Sequence, residues 1–324
     1  MNSPLVSIIV SCYNGEKYIG DTLNSLLIQS YTNIEIVVVN DGSTDESERI
    51  IKSFLDKRIT YFKQTNKGQC AALNYGFSKS VGSYIKFYDA DDILQPTVIQ
   101  GQVESLLEVS DDCLSFVEWR RFYNNVLPTK IDESNPHTIH KDCLPIEYIT
   151  WKNQTPMVQC GLWLIPRSIL YKTGLWDERL NLINDTEFFT RILQHVRLLK
   201  FSNSGCTFYR TNIAETSLSK DFSKKGIKSA LLSIDLSAQW MLNIETSDRV
   251  KKIIANSYIM ILGWAYPKQM AFAKIIERRL YQFPKEYIVY PKSGKVYNVV
   301  MKLFGWKTAN RLLKLYHQKR NTFN

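Results

Sequence analysis

Apolar and polar positions fall in blocks along the first hundred residues, and the blocks change period in a regular order. LVSIIVS (residues 5–11) and IEIVVV (34–39) are continuous runs of strand formers, the pattern of strands covered on both faces. ITYF (59–62) and YIKFY (84–88) repeat it more briefly. Between these runs the period lengthens. Ile19, Leu23, Leu26 and Leu27 recur at helical spacing after the loop CYNGEKY. Ser43 and Glu46 stand at capping-box spacing ahead of a helix expected to carry Ile50, Ile51, Phe54 and Leu55 on one face. NKGQCAALNYGFSKS predicts a third helix. This alternation predicts an α/β fold, a mostly parallel sheet with right-handed crossovers flanked by helices. Its carboxyl edge should gather the loops at Tyr13, Asp41, Lys67 and Asp89.

Beyond Pro96 the pattern loosens. Residues 97–109 predict a helix and CLSFVEW (113–119) a strand, while 120–150 show little period. Trp119, Arg120 and Arg121 read as surface strand residues or as contacts to a sugar or its phosphate. Periodicity returns at VQCGLWLIPRSILYKTGLWDERLNLINDTEFFTRIL, and from Lys224 the chain reads as successive helices. The expected organisation is an α/β domain over residues 1–222 and a basic helical extension over 223–324, with no repeat or low-complexity linker.

Composition adds limits. The 324 residues are 44% hydrophobic and 22% charged, ordinary for a folded protein. No run approaches the ~18 to 20 apolar residues that span a bilayer; the longest, Ile253 to Tyr266, is interrupted by Asn256, Ser257 and Gly263. The start enters a strand without a basic leader, so no secretory signal is expected. Six cysteines without a C-x-x-C pair argue against a zinc site or a disulfide framework and suit a reducing cytoplasm. The net charge of +10 is unevenly placed: from Lys268 onward thirteen Lys or Arg face two acidic residues, whereas residues 1–267 carry −1. In that tail Ala309, Leu312, Leu313 and Tyr316 predict one helix face, with Lys307, Arg311, Lys314 and Gln318 opposite. Such a basic amphipathic helix suits an anionic membrane surface and carries no nucleic-acid motif. Packing on the α/β domain or on a second copy of the chain is the alternative.

The densest chemistry is in YIKFYDADDIL, where Asp89, Asp91 and Asp92 are separated only by Ala90. Carboxylates this close repel one another and raise each other's pKa, so a cation commonly neutralises them. Asp oxygens are hard ligands suited to Mg²⁺ or Mn²⁺, held by one or two carboxylates together with substrate phosphates. A solvated acidic turn capping the next helix is the simpler reading.

VSIIVSCYNGEKYIGDTLNSLLIQSYTNIEIVVVNDGSTDES, NKGQCAALNYGF and YIKFYDADDIL resemble, in order and spacing, the successive blocks of the family 2 glycosyltransferases, inverting enzymes of the GT-A fold. The resemblance is dense over residues 4–100 and thin to about 220. It implies metal-dependent transfer of a sugar from a nucleoside diphosphate, UDP expected, to a hydroxyl of a glycan or lipid-linked saccharide. Envelope or capsular polysaccharide or O-antigen synthesis is the implied setting, in the cytoplasm or on the inner face of the cell membrane. Asp41 is assigned to a nucleobase N–H and Tyr13 to stacking on the base, with Asn14, Lys67, Gly68, Asn74 and Ala90 completing the nucleotide-sugar contacts. Asp91 is assigned to Mn²⁺ or Mg²⁺, Asp89 to the metal or the ribose, and Asp92 to their support. The metal would act as a Lewis acid on the departing nucleoside diphosphate.

INDTEFFTRIL resembles the segment that supplies the catalytic base, which makes Asp185 the residue to take the acceptor hydroxyl's proton. Glu187 is the substitute candidate, and Asp177 and Glu178 read as structural turn residues. Two positions depart from the family pattern: Asn184, where a Glu often precedes the base, and Asn212, where a His commonly follows Tyr-Arg, leaving the third protein ligand of the metal open. Arg210 either approaches the phosphates or forms a structural ion pair. Simpler readings stand beside these: a helix-capping turn for Asp41-Gly42, a solvated Lys67, an N-cap for Asp185. The competing functions are an inactive nucleotide-sugar- or membrane-binding module of the same fold and another nucleotidyl or phosphoryl enzyme. Against the latter, SCYNGEKY lacks a Gly-rich basic loop, and Ile93 follows Asp92 where a phosphatase would continue with Gly-Thr. Donor sugar, acceptor, linkage and homo-oligomerisation are left open.

Overall fold

The computed structural model describes residues 3–123, 138–151, 159–211, 221–290 and 294–321. Its first part alternates β1 (Val6–Cys12), α1 (Ile19–Leu27), β2 (Ile34–Asn40), α2 (Ser47–Lys52), β3 (Ile59–Lys63), α3 (Gln69–Lys79) and β4 (Tyr84–Asp89). The strands pair in parallel in the order β3-β2-β1-β4. Val6, Ile8, Ile9 and Val10 are fully buried, because helices cover both faces of the sheet. With β1 between β2 and β4 the winding reverses at β1, and a crevice opens at the strand ends. The register Cys12↔Asn40 and Ser11↔Asp89 carries Tyr13, Asp41 and Asp89 to that edge.

The sheet continues through β5 (Ile93–Leu94), α4 (Val98–Leu107), β6 (Cys113–Phe122), α5 (Pro145–Ile149), β7 (Trp163–Pro166), α6 (Arg167–Thr173), α7 (Asn184–Leu193) and β8 (Leu198–Arg210). The eight strands lie in the order β3-β2-β1-β4-β7-β6-β8-β5, with β7 antiparallel to β4 and β6, and β5 antiparallel to β8. The sheet is therefore mostly parallel in its first half and mixed in its second.

Three local expectations change. The capping box does not form: α2 begins at Ser47, and the Ser43 hydroxyl instead accepts from the backbone N–H of Asn14 at 3.0 Å. Because α2 ends at Lys52, Leu55 falls beyond it and is 93% exposed, leaving Ile51 as the buried anchor. Trp119 and Arg120 are not surface residues: Trp119 is buried, and the Arg120 guanidinium donates to the Glu118 carboxylate.

The C-terminal helices are α8 (Lys224–Ile244), α9 (Asp248–Ala265), α10 (Met270–Leu280) and α11 (Lys295–Asn321). One hydrophobic core runs from Phe87, Trp163 and Phe188 through Ile234 and Ile254 to Ile276. The helical extension thus shares the core of the α/β layer. No helix among the described residues is long and apolar enough to cross a membrane.

Lys86 sits in the middle of β4 with no exposed surface. Its ammonium donates to Gln102 Oε1 at 2.9 Å and to the Gly161 carbonyl at 2.7 Å, and burial pushes its pKa down to about 7. A folded-state pKa below the unfolded value of ~10.4 makes stability rise with pH between the two and fall as pH drops toward 7. Lys86→Met removes that slope. Chemical denaturation at pH 7 and 9.5 should show wild type gaining more stability over the interval than the variant; parallel gains would mean the amine keeps its ordinary pKa.

Candidate active site

The turn into α7 is shaped by its neighbours. Ile183 adopts a left-handed conformation (φ 52°) immediately before Asn184, a state that strains a β-branched residue by roughly 1–3 kcal/mol. Contacts from α8 hold it there. The Ser233 hydroxyl donates to the Ile183 carbonyl at 2.7 Å, and the Ser229 hydroxyl accepts from the N–H groups of Asn181 and Leu182 at 2.8 and 3.1 Å. Behind the turn, Phe188 stacks on Trp176 with centroids 3.8 Å apart and meets Phe87 edge-on at 5.6 Å. Phe87 lies two residues before Asp89 and Phe188 three after Asp185, so aromatic packing fixes the two carboxylates relative to each other. Asp185 is not an N-cap but a residue of the first turn, where the helix dipole favours a carboxylate. Burial and the charge of Asp89 nevertheless hold its pKa well above the usual range.

Glu187 has other work. Its carboxylate accepts from Arg191 Nε at 2.7 Å and from Trp240 Nε1 at 3.1 Å, which ties α7 to α8. Glu178 accepts from Asn74 at 2.9 Å, and Asp177 pairs with Arg179 at 2.6 Å, as turn residues should.

At the end of β4 three carboxylates share a confined space and differ in role. Asp92 is fully buried and holds the fold: it accepts from the Arg210 backbone N–H at 2.9 Å and from the Gln159 amide. Asp89 and Asp91 are partly exposed. Burial, with the charge of Asp89 beside it, pushes Asp91 up to about 7, and burial also raises Asp89. Arg210 points its Nε at the Asp91 carbonyl, 2.7 Å away, and its guanidinium lies between the rings of Tyr18 and Phe122. It braces the acidic turn and approaches Asp21 at 3.4 Å.

A hydrogen-bond chain joins the two halves. Gln69 Nε2 donates to Asp89 Oδ1 at 2.8 Å, and Asn184 Nδ2 donates to Gln69 Oε1 at 3.1 Å. The Cys160 thiol also reaches Asp89. Gln69 and Cys160 are the site residues that periodicity and spacing did not single out. Gln69 directly follows the Lys67-Gly68 pair, and Cys160 opens the block that resumes order after residue 150, so adjacency to those blocks was the one signal present.

The nucleotide side is organised around Asp41, which is buried and accepts from Gln64 Nε2, Lys67 N and Gly68 N at 2.7, 2.9 and 2.8 Å. It thereby shapes the loop entering α3. Gly42 (φ 75°) is required there, since a Cβ would meet the Asn66 nitrogen at 2.8 Å. Tyr13 is 53% exposed just past the end of β1, and Lys67 is exposed. Beside them lies an open groove of about 600 Å³ lined by Gly42, Ser43, Lys63, Gln64, Thr65 and Asn66. Ala90 is partly buried near Gly15. Asn14 and Asn74 are engaged within the protein: Asn14 Oδ1 accepts from Thr44 N at 2.9 Å, and Asn74 exchanges hydrogen bonds with the Trp176 backbone. Asn212 lies outside the described residues.

Residues 7–174 match the family described as Glycosyl transferase family 2. The chain belongs to that family. An uncharacterised glycosyltransferase of Rickettsia typhi is 28% identical over 331 residues, covering 95% of this chain and 98% of the relative. The glycosyltransferase GlyA of Streptococcus pneumoniae is 42% identical over 109 residues, 33% of this chain and 16% of that longer protein. Among solved structures, S. aureus TarS 1-349 in complex with UDP-GlcNAc superposes with a TM-score of 0.63 at 15% identity, covering 96% of this chain and 91% of that one. This likeness establishes the GT-A fold.

Family 2 glycosyltransferases typically use a divalent metal, and the side chains present here suit one. Asp89 and Asp91 supply hard oxygen donors at the crevice; burial raises both, and the charge of Asp89 adds to the rise at Asp91. No group of three or more His, Cys, Asp or Glu is arranged to hold a metal among the described residues. Two carboxylates with substrate phosphates completing the shell are a common Mg²⁺ arrangement.

Proposed function

We propose that the protein is an inverting glycosyltransferase that moves a sugar from UDP to a hydroxyl of a glycan or lipid-linked saccharide on the cytoplasmic face of a membrane, in the assembly of a surface polysaccharide. The observation that carries this reading is Asp185, a confined carboxylate whose pKa is raised by burial and by the charge of Asp89, and whose neighbour Asn184 is linked through Gln69 to Asp89 at the strand edge that also receives Tyr13 and Asp41. The UDP-GlcNAc complex of TarS supports a UDP-sugar.

Tyr13 stacks on the base, and Asp41 both shapes the Lys67-Gly68 loop and offers the base an acceptor oxygen. Asp89 and Asp91 would hold Mn²⁺ or Mg²⁺, which would supply Lewis acidity to the leaving diphosphate. Asp185 takes the acceptor proton. As the C–O bond to the acceptor forms on one face of the anomeric carbon, the bond to phosphate breaks on the other, and configuration inverts. A base with a raised pKa holds that proton more strongly than an ordinary Asp would.

Thermal shift against a panel of nucleoside diphosphate sugars, with and without Mn²⁺, tests the reading. UDP-sugars should raise the melting temperature most, and only with Mn²⁺; release of UDP should then depend on added acceptor. No shift with any nucleoside diphosphate would remove the proposal.

A further inference from the structure

The tail helix α11 is broken at Gly305 (φ 80°), and its two halves meet different surroundings. The half after the break is docked. Trp306 stacks on Tyr290 at 4.9 Å and meets Tyr266 at 5.3 Å. Lys307 pairs with Glu277 at 2.7 Å, Ala309 is buried, and Arg311 donates to the Tyr266 hydroxyl at 3.2 Å. This half, expected from sequence to present the basic amphipathic face, places Lys307 and Arg311 of that face against Glu277 and Tyr266.

The half before the break leaves large apolar side chains exposed. Val296, Val299, Leu303 and Phe304 are 78%, 56%, 67% and 67% exposed. At about 100° per residue, Val296, Val299 and Leu303 fall within an arc of about 60°, which Phe304 widens to about 140°. Lys295 and Lys302 are exposed along one margin of this stripe, while Tyr297 and Met301, at the other margin, are half-buried. An apolar stripe bordered by lysines at one side and protein at the other is the arrangement of a helix lying in a lipid headgroup layer.

We propose that residues 295–304 are the membrane-contact element, with Val296, Val299, Leu303 and Phe304 entering the acyl boundary and Lys295 and Lys302 on anionic headgroups. This deepens the reading of a membrane-borne acceptor and rests on it. A second copy of the chain fits the stripe less well. Pairing it with itself brings two tails of charge +11 together, and four side chains supply far less than the roughly 800 Å² per partner of a stable interface.

Co-sedimentation of the full chain with phosphatidylcholine vesicles, with and without phosphatidylserine, is the test. Wild type should sediment with the anionic vesicles, less so in high salt. Lys295→Gln combined with Lys302→Gln should weaken that binding about thirtyfold, at about fivefold per lysine. Val299→Ser, Leu303→Ser and Phe304→Ser together should weaken it about tenfold or more at every salt concentration. Lys307→Gln with Arg311→Gln, on the docked half, should change it much less. Sedimentation of the triple variant equal to wild type would overturn the proposal. So would an absence of vesicle binding alongside a wild-type dimer in gel filtration that the triple variant abolishes. UDP affinity measured on the same proteins separates this outcome from failure of the glycosyltransferase reading, since no substituted residue lies at the crevice.

Discussion

Replacing Asp185 by Asn lowers turnover by about 10²- to 10⁴-fold, the range expected when a positioned general base is removed, and leaves UDP affinity where it was. The separation follows from where the residue sits. Asp185 belongs to the first turn of α7, oriented by the Ile183 turn and the Phe188 stack, whereas the groups assigned to the nucleotide are on β1, β2 and the loop entering α3. Asn keeps the shape and loses the proton acceptor. Glu187→Gln is the informative contrast. It weakens a buried pair with Arg191 and a bond from Trp240, so it should lower the unfolding midpoint by the equivalent of about 1–3 kcal/mol and leave the catalysed step nearly unchanged. Steady-state kinetics with calorimetric UDP titration checks both; loss of turnover in Glu187→Gln alone would move the base to that residue.

Asp91→Asn should have two effects of opposite sign. Binding of UDP in Mn²⁺ should fall at least a hundredfold, because one of two metal-binding carboxylates is gone, and chelator should reproduce the loss in wild type. The ligand-free protein should become more stable. Burial and Asp89 hold Asp91 up at about 7, so its ionised form costs stability that is absent below the unfolded value of ~3.9 and fully present above 7. Thermal melts at pH 8 without metal should therefore rise in the variant, and the gain should vanish near pH 4. A melt unchanged at pH 8 together with unchanged UDP affinity would show that Asp91 neither binds the metal nor feels Asp89.

The first half of this fold was legible because its period is uninterrupted: buried strands such as IIV and VVV cannot be mistaken for solvated turns, and helical spacing fills the gaps between them. The parallel sheet and the gathering of Tyr13, Asp41 and Asp89 at its carboxyl edge follow from that pattern; the order β3-β2-β1-β4 comes from the structure. The reversed β7 did not, since four apolar residues carry no direction. Nor did β8 stand out as a strand, because Ser202, Asn203, Ser204 and Gly205 interrupt it where its register shifts against Val117 and Glu118. At the site, carboxylates identify themselves by clustering, but their division of labour does not. Only burial and hydrogen bonding separate Asp92, which accepts from Arg210 N, from Asp91, which faces the crevice. The resemblance assigns Asn14 and Asn74 to the nucleotide sugar, and in the structure Asn14 also bonds the loop at Thr44 while Asn74, on α3, bonds the Trp176 backbone.

The chain between Gln69 and Asn184, whose amides meet, is 115 residues long, and that between Asp92 and Arg210 is 118. Closing loops of this length costs on the order of 4 kcal/mol in chain entropy before any contact compensates, and folds dominated by such distant pairings form slowly. During synthesis the strands that carry Tyr13, Asp41 and Asp89 emerge more than ninety residues before Asp185, and before Arg210 and the α8 serines that shape the turn into α7. The Phe87 side of the first four strands stays uncovered until Trp176 and Phe188 have been made.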